Sequence, residues 1–285
     1  MSHTFKVSDT FKVSDTLEHS GTPVVFVHGL WLHADSWGAW AERFRNAGYV
    51  PTAPGWPGDM GTIEETRKQP QLVAGYGIAD VVDHYAKAIA GLETKPVVIG
   101  HSFGGLIAQR LLGDGNAGAA VGIDAAPIKG VFFLPPSALR VASIALRNPL
   151  NRKRAVSLTR EQFRYGFGNA VSAQESDELY ERWTIPSPGK PLFEAAAANL
   201  SLNSPAKVNT GNATRGPLLL TAGGKDHTVP ASITTQTLRL YRKSPAVTDV
   251  REFPDRGHSL CIDSGWQEVA DTVLEWLAAQ SLQGV

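Results

Sequence analysis

The stretch PVVIGHSFGGLIAQRLL, residues 96–112, places a serine between two apolar runs of different character. Before Ser102 stand β-branched residues that read as a buried strand, and after it an apolar run suited to a helix. The hexapeptide GHSFGG sets Gly100, Ser102 and Gly104 in the pattern G-x-S-x-G. On a sharp strand-to-helix turn such a serine is lifted above the sheet in a strained backbone conformation, and small flanking residues let strand and helix approach without collision. The same residues also suit a plain glycine-lined turn whose serine caps a helix, so the partners must decide. A helix opening after Ser102 aims its free N–H groups and positive dipole end at a developing oxyanion, with the N–H of Phe103 as one donor. His101 is directed elsewhere by the turn and is not taken as the base.

A serine hydroxyl is a weak nucleophile that needs a base, and the base needs an orienting acid. Further along, LLLTAGGKDHTVP (218–230) puts Asp226 just beyond a buried strand, and FPDRGHSL (253–260) puts His258 in the loop after the next one. The resulting order is Ser, Asp, His. All three fall at carboxyl ends of strands, where open parallel sheets carry their sites. Asp124, at the end of AAVGID (119–124), competes for the role of acid. His227 is read as a support for the Asp226 loop. A second oxyanion donor is expected from HGLWLHADSW (28–37), with the N–H of Leu30 first and that of Trp31 next. His28 is read as a residue that holds this loop, and the ring of Trp31 either lines an acyl pocket or packs in the core.

Around these motifs short apolar strands alternate with amphipathic helices. VVFVHG (24–29), KPVVIG (95–100), AAVGID, GPLLLTAGG (216–224) and TDVREFP (248–254) read as strands. Helical spacing falls at 35–48, 76–92, 103–112, 231–241 and 265–280. The fold class is therefore α/β, a mostly parallel sheet with helices on both faces. The core is expected at 23–126 and 214–285. From 127 to 213 the rhythm breaks into helical pieces punctuated by LPPS, RNPLNRKR and IPSPGKP, read as a mostly helical lid inserted between two strands. Phe133, Phe163 and Trp183, with Trp31, are expected to line its substrate pocket. The basic run 146–154 reads as solvated surface.

With 27 basic against 27 acidic residues among 285, no global field draws the chain to nucleic acid or to a membrane. One cysteine, Cys261, excludes an internal disulfide and any multi-cysteine metal site. No basic-then-apolar leader and no apolar run of spanning length is present, so a cytoplasmic setting is expected. Residues 1–22 contain FKVSDT twice in tandem, at 5–10 and 11–16, to which no function is assigned.

Taken together, HGLW (28–31), GHSFGG (100–105), GGKDHTVP (223–230) and RGHSL (256–260) resemble the α/β-hydrolase fold family, in its lid-bearing branch of small esterases and cofactor-free haloperoxidase-like hydrolases. The chain lacks the HGGG run of hormone-sensitive-lipase-like esterases, and has serine where haloalkane dehalogenases use aspartate. It offers little before Pro23 to build the family's N-terminal hairpin. The resemblance implies a serine esterase acting on a small, apolar substrate with no metal or organic cofactor. Carbon–carbon bond hydrolysis, cofactor-free perhydrolysis and a low-turnover small-molecule receptor remain as alternatives.

Overall fold

Side-chain alternation along each strand divides the apolar runs of this chain between two cores. A computed structural model describes residues 21–284, so the tandem repeat and most of the stretch before Pro23 lie outside the described residues. The strands are β1 (Pro23–Val27), β2 (Val50–Thr52), β3 (Val97–His101), β4 (Ala119–Ile123), β5 (Ala155–Val156), β6 (Ser187–Pro188), β7 (Leu218–Gly223) and β8 (Thr248–Phe253). Six of them form one sheet in the order β2-β1-β3-β4-β7-β8, and every neighbouring pair is parallel. Val24 and Phe26, Val97 and Ile99, Ala119 and Val121 face one core, while Val25, Val27, Val98 and Ala120 face the other.

Helices cover both faces, as parallel strands buried on two sides require. On the first face lie α1 (Gly38–Asn46) and, at the chain's far end, α11 (Trp266–Ala279), which contribute Trp40, Phe44, Val269, Val273 and Leu277. Phe26 stacks on Trp37 at 4.8 Å and meets Phe44 edge-on at 5.3 Å, so an aromatic cluster anchors β1. The second face carries α4 (Ile78–Ile89), α5 (Phe103–Gly113) and α10 (Ala231–Tyr241). Two short helices, α2 (Ile63–Lys68) and α3 (Pro70–Val73), occupy a stretch whose pattern assigns no element. They are too short to show a period.

Between β4 and β7 the chain runs through α6 (Pro136–Leu146), α7 (Arg160–Gly166), α8 (Ala173–Trp183) and α9 (Lys190–Ala196), a mostly helical insertion. It also holds the antiparallel pair β5–β6, which the sequence reading does not anticipate because strands of two residues carry no alternation.

The order of the sheet places the site. From β1 the chain goes outward to β2 and returns on the other side to β3. The loops leaving the carboxyl ends of β1 and β3 therefore diverge and open a crevice. There α5 crosses very close to the sheet: a Cβ on Gly100 would sit 2.0 Å from the Gly104 carbonyl oxygen, and one on Gly104 would sit 2.0 Å from that of Val27. The backbone cannot retreat without moving the helix. Gly104→Ala is expected to destabilise the protein by about 3 kcal/mol or more, the upper range for overpacking, measured by urea denaturation; a loss under about 1 kcal/mol would show that α5 can shift.

Candidate active site

Ser102 stands between β3 and α5 at φ 55° and ψ −120°, outside the regions that side-chain-bearing residues favour. Such strain, about 1–3 kcal/mol, persists because neighbours fix the backbone. Its N–H donates to the Ile123 carbonyl at 2.9 Å, and its carbonyl accepts from Gly105 and Ala126, each at 2.9 Å. A Cβ on Gly29 would lie 2.8 Å from that of Ser102, so the loop after β1 presses against the turn.

Asp226 and His258 meet as a fully buried pair, with Nδ1 of the imidazole 2.6 Å from a carboxylate oxygen. The other oxygen of Asp226 accepts from the N–H groups of Thr228 at 2.6 Å and Val229 at 2.8 Å. Burial alone would raise this carboxyl, but the charge and hydrogen bond of His258, with the Val229 N–H, hold it below the usual carboxylate range. Nε2 of His258 is buried and makes no hydrogen bond among the described residues. His258 also lies beside the serine turn: its ring is 4.5 Å from that of His101, whose Nε2–H donates to the His258 carbonyl at 2.9 Å. Burial, and then the neighbouring His258, push His101 well down, which makes it a neutral strut.

Two further histidines take structural positions. His28 contacts Asp59 at 2.9 Å and the Gly29 carbonyl at 2.9 Å, holding the loop after β1. His227 bonds the Tyr165 carbonyl of the insertion at 3.0 Å, so it ties the Asp226 loop to α7. Asp124 accepts from Gly223 N–H at 3.0 Å and Thr221 Oγ1 at 3.2 Å, and does not contact His258 by hydrogen bond. Atoms of Asp124, Asp226 and His258 lie within 4.8 Å of one another, spacing that would suit a cation. The N–H groups already aimed at Asp226 repel one, so the arrangement is a hydrogen-bonding network.

The two expected oxyanion donors, Leu30 N–H and Phe103 N–H, belong to the adjoining loop and to the first residue of α5, and neither is consumed by a backbone hydrogen bond among the described residues. Trp31 N–H, the second choice, is committed to Ser187 Oγ at 2.6 Å. Trp31 itself has φ 68°, and its indole N–H donates to Val156 O at 3.0 Å. An antiparallel bridge joins Leu32 to Thr184, and Trp31 O accepts from Ile185 N at 3.0 Å. The loop after β1 is therefore stitched to the insertion.

Ser102, Trp31 and Phe103 line a cavity of about 220 Å³. Of the other expected lining residues, none borders it. Phe133 is 61% exposed, with its backbone held by Gln236; Phe163 is fully buried and stacked on Phe167 at 5.0 Å; Trp183 packs at the edge of the core under Arg182. The walls are aliphatic instead: Leu134, Val141 and Ala142 with α6, Leu192 and Ala195 from α9, and Ile233 from α10. From the insertion, Phe167 reaches the site, edge-on to His258 at 4.7 Å and to Trp31 at 6.3 Å. Nothing in the local sequence separates Phe167 from Phe163; only packing does. The basic run carries Arg152, Lys153 and Arg154 as exposed residues, in keeping with solvated surface. No helix among the described residues is long and apolar enough to cross a membrane.

A model of the Alpha/beta hydrolase family matches residues 24–272. No curated protein matches the sequence. Among solved structures, the chain is similar to a monoacylglycerol lipase from Paleococcus ferrophilus, with 20% identity and TM-score 0.64 over 90% of this chain and 94% of the other. A methylesterase from Arabidopsis matches at 17% identity and TM-score 0.62, over 90% and 99% of the two chains. A pyrethroid hydrolase from Sphingobium faniae JZ-2 matches at 16% identity and TM-score 0.63, over 91% and 98%. At these identities the likeness is one of fold.

The tie between loop and insertion is directly testable. Ser187→Ala leaves the buried Trp31 N–H without its acceptor and is expected to destabilise the fold by about 1–3 kcal/mol, read from urea midpoints at constant slope. An unchanged midpoint would mean that another acceptor replaces Ser187.

Proposed function

Because the chain belongs to the Alpha/beta hydrolase family, we propose that it is a serine hydrolase cleaving carboxylic esters of a small, uncharged acyl group through an acyl-enzyme on Ser102. The observation that carries this reading is the Asp226–His258 pair, whose Nδ1 is engaged at 2.6 Å and whose buried Nε2 is left without a partner beside the strained Ser102 turn. An imidazole oriented on one nitrogen and open on the other is a general base awaiting a proton.

In this mechanism Ser102 Oγ attacks the ester carbonyl carbon while His258 Nε2 takes its proton. The N–H groups of Leu30 and Phe103 receive the oxyanion, aided by the positive end of α5. Asp226 holds the imidazole in its tautomer and stabilises the imidazolium, which then protonates the departing alcohol. Water enters, gives a proton to His258 and attacks the acyl carbon, and the carboxylic acid leaves with Ser102 regenerated. Every charge that develops thus faces a group already oriented, and no cofactor is required by the chemistry.

The cavity supports the substrate class. Its walls near Ser102 are aliphatic, with no ionisable side chain among the lining residues. A charged acyl group entering it would lose its hydration without a partner. An uncharged acyl chain would instead bury apolar surface, at about 0.8 kcal/mol per methylene.

Hydrolysis of p-nitrophenyl esters of graded chain length tests the proposal. Rates should rise with acyl length until the cavity is filled and then fall, and succinate half-esters should react slowly. Ser102→Ala is expected to lower kcat/KM by about 10⁴-fold or more, and Asp226→Asn by about 10³–10⁴-fold, with circular dichroism unchanged. Retained turnover in folded Ser102→Ala would overturn the assignment.

A further inference from the structure

Next to Asp226 lies a second carboxyl group that the acyl-transfer steps do not use. Asp124 closes β4, is fully buried, and adopts φ 43°, in the left-handed region. Gly223 N–H and Thr221 Oγ1 occupy it at 3.0 Å and 3.2 Å. A carboxyl oxygen of Asp124 lies within 4.8 Å of one of Asp226, and both side chains are buried. Two carboxylates buried this close repel each other, which favours a proton on one of them. Asp226 faces His258 and two backbone N–H groups, all of which favour its anion. Asp124 faces one backbone N–H and one hydroxyl, so the proton belongs there.

We infer that Asp124 is a neutral carboxylic acid that donates a hydrogen bond to Asp226 and positions that carboxylate against His258. The kinetic part of this inference rests on the serine hydrolase reading, whereas the protonation part rests on the folded chain alone. Other ionisable groups turned toward the cluster are His101 from the end of β3, His258 and Cys261 from the loop after β8, with Asp263 and Arg256 beyond Cys261. Burial, then Asp263 and Asp124, push the Cys261 thiol well up, and His101 is held neutral as described, so neither supplies the countercharge that a second anion would need.

The sign of the pH effect follows. Burial first, and then the Asp226 charge, raise the Asp124 carboxyl well above its ordinary value. Unfolded, it ionises near about pH 4. Its contribution to stability is therefore complete below that pH and is lost as pH rises toward the folded value. D124N needs no proton: its amide oxygen can accept from Gly223 and Thr221 while its N–H₂ donates to Asp226.

The test compares urea unfolding of wild type and D124N between pH 5 and 8. The ratio of the wild-type to the D124N unfolding constant should grow by about tenfold per pH unit. A ratio independent of pH would mean that Asp124 is ionised in the fold, and the inference fails. Should D124N not fold, the infrared carboxylic-acid C=O band of wild type at pH 7 decides, its absence counting against the inference. On the ester found to react fastest, D124L should lose at least about tenfold in kcat/KM, with D124N restoring most of it. If D124N instead falls as far as D226N, Asp124 is the ionised acid and the inference is overturned. If wild type turns over no ester, the hydrolase reading fails while the unfolding comparison still decides the protonation of Asp124.

Discussion

The close approach of α5 to the sheet at Ser102 is the constraint on which the rest of the site depends. Gly29, Gly100 and Gly104 each leave out a Cβ that would overlap a neighbour within 3 Å. With those atoms absent, helix, strand and loop meet at one point, and the serine between them is forced to φ 55°. A residue held this way cannot relax back onto the strand, because its N–H and carbonyl are bonded to β4 and to α5 together. Strain at Ser102 is therefore maintained by packing elsewhere, principally by the alternating apolar residues of β1, β3 and β4. The same approach leaves the first N–H groups of α5 facing the crevice between β1 and β3. Geometry and electrostatics have one steric origin.

Parallel strands then deliver the other groups with little freedom. The end of β3 supports the loop after β8, through His101 Nε2–H to the His258 carbonyl at 2.9 Å. Trp40 of α1 donates to Cys261 O at 2.8 Å, and Phe167 O accepts from Ser259 N at 3.2 Å, so the segment carrying His258 is held from both faces of the sheet. Within that segment the Arg256–Asp263 pair and the Ser259 hydroxyl, 2.9 Å from Asp263, close the loop on itself. In the proposed mechanism, a base placed by so many backbone contacts needs little reorganisation when charge develops, which is the condition under which electrostatic stabilisation is most effective.

What the sequence made legible is what local sterics and chain order govern. G-x-S-x-G, the strand–helix alternation and the strand-end positions of Asp226 and His258 each follow from rules that act over a few residues. Helix α10 falls at Ala231–Tyr241, where the apolar spacing puts it, because Pro230 before it and Pro245 after it limit it. Contacts between distant segments had no such signal. Trp31 and Ser187 are 156 positions apart, and neither residue type announces the other. The cavity walls differ from the expected aromatic lining for a related reason. Aromatic residues dominate area estimates, yet Phe133 faces solvent and Phe163 is stacked into the insertion, while residues such as Val141 and Ala142 meet the cavity. A helix with apolar residues on adjoining sides does not say which side meets the core and which a hollow.

The stitching of Trp31 to the insertion bears on how selectivity and chemistry are joined. Leu30, the expected oxyanion donor, is followed at once by a residue in the left-handed region whose N–H, carbonyl and indole are all held by residues 156, 185 and 187 of the insertion. Non-glycine residues enter that region only when their surroundings over-determine them. The orientation of the Leu30–Trp31 peptide is accordingly set from the insertion side as well as from β1. Trp31 also borders the cavity, next to walls supplied by α6 and α9. In the proposed mechanism, a change in the insertion that reshapes the cavity also reaches the Leu30–Trp31 peptide through the same hydrogen bonds, so that pocket shape and oxyanion placement are coupled.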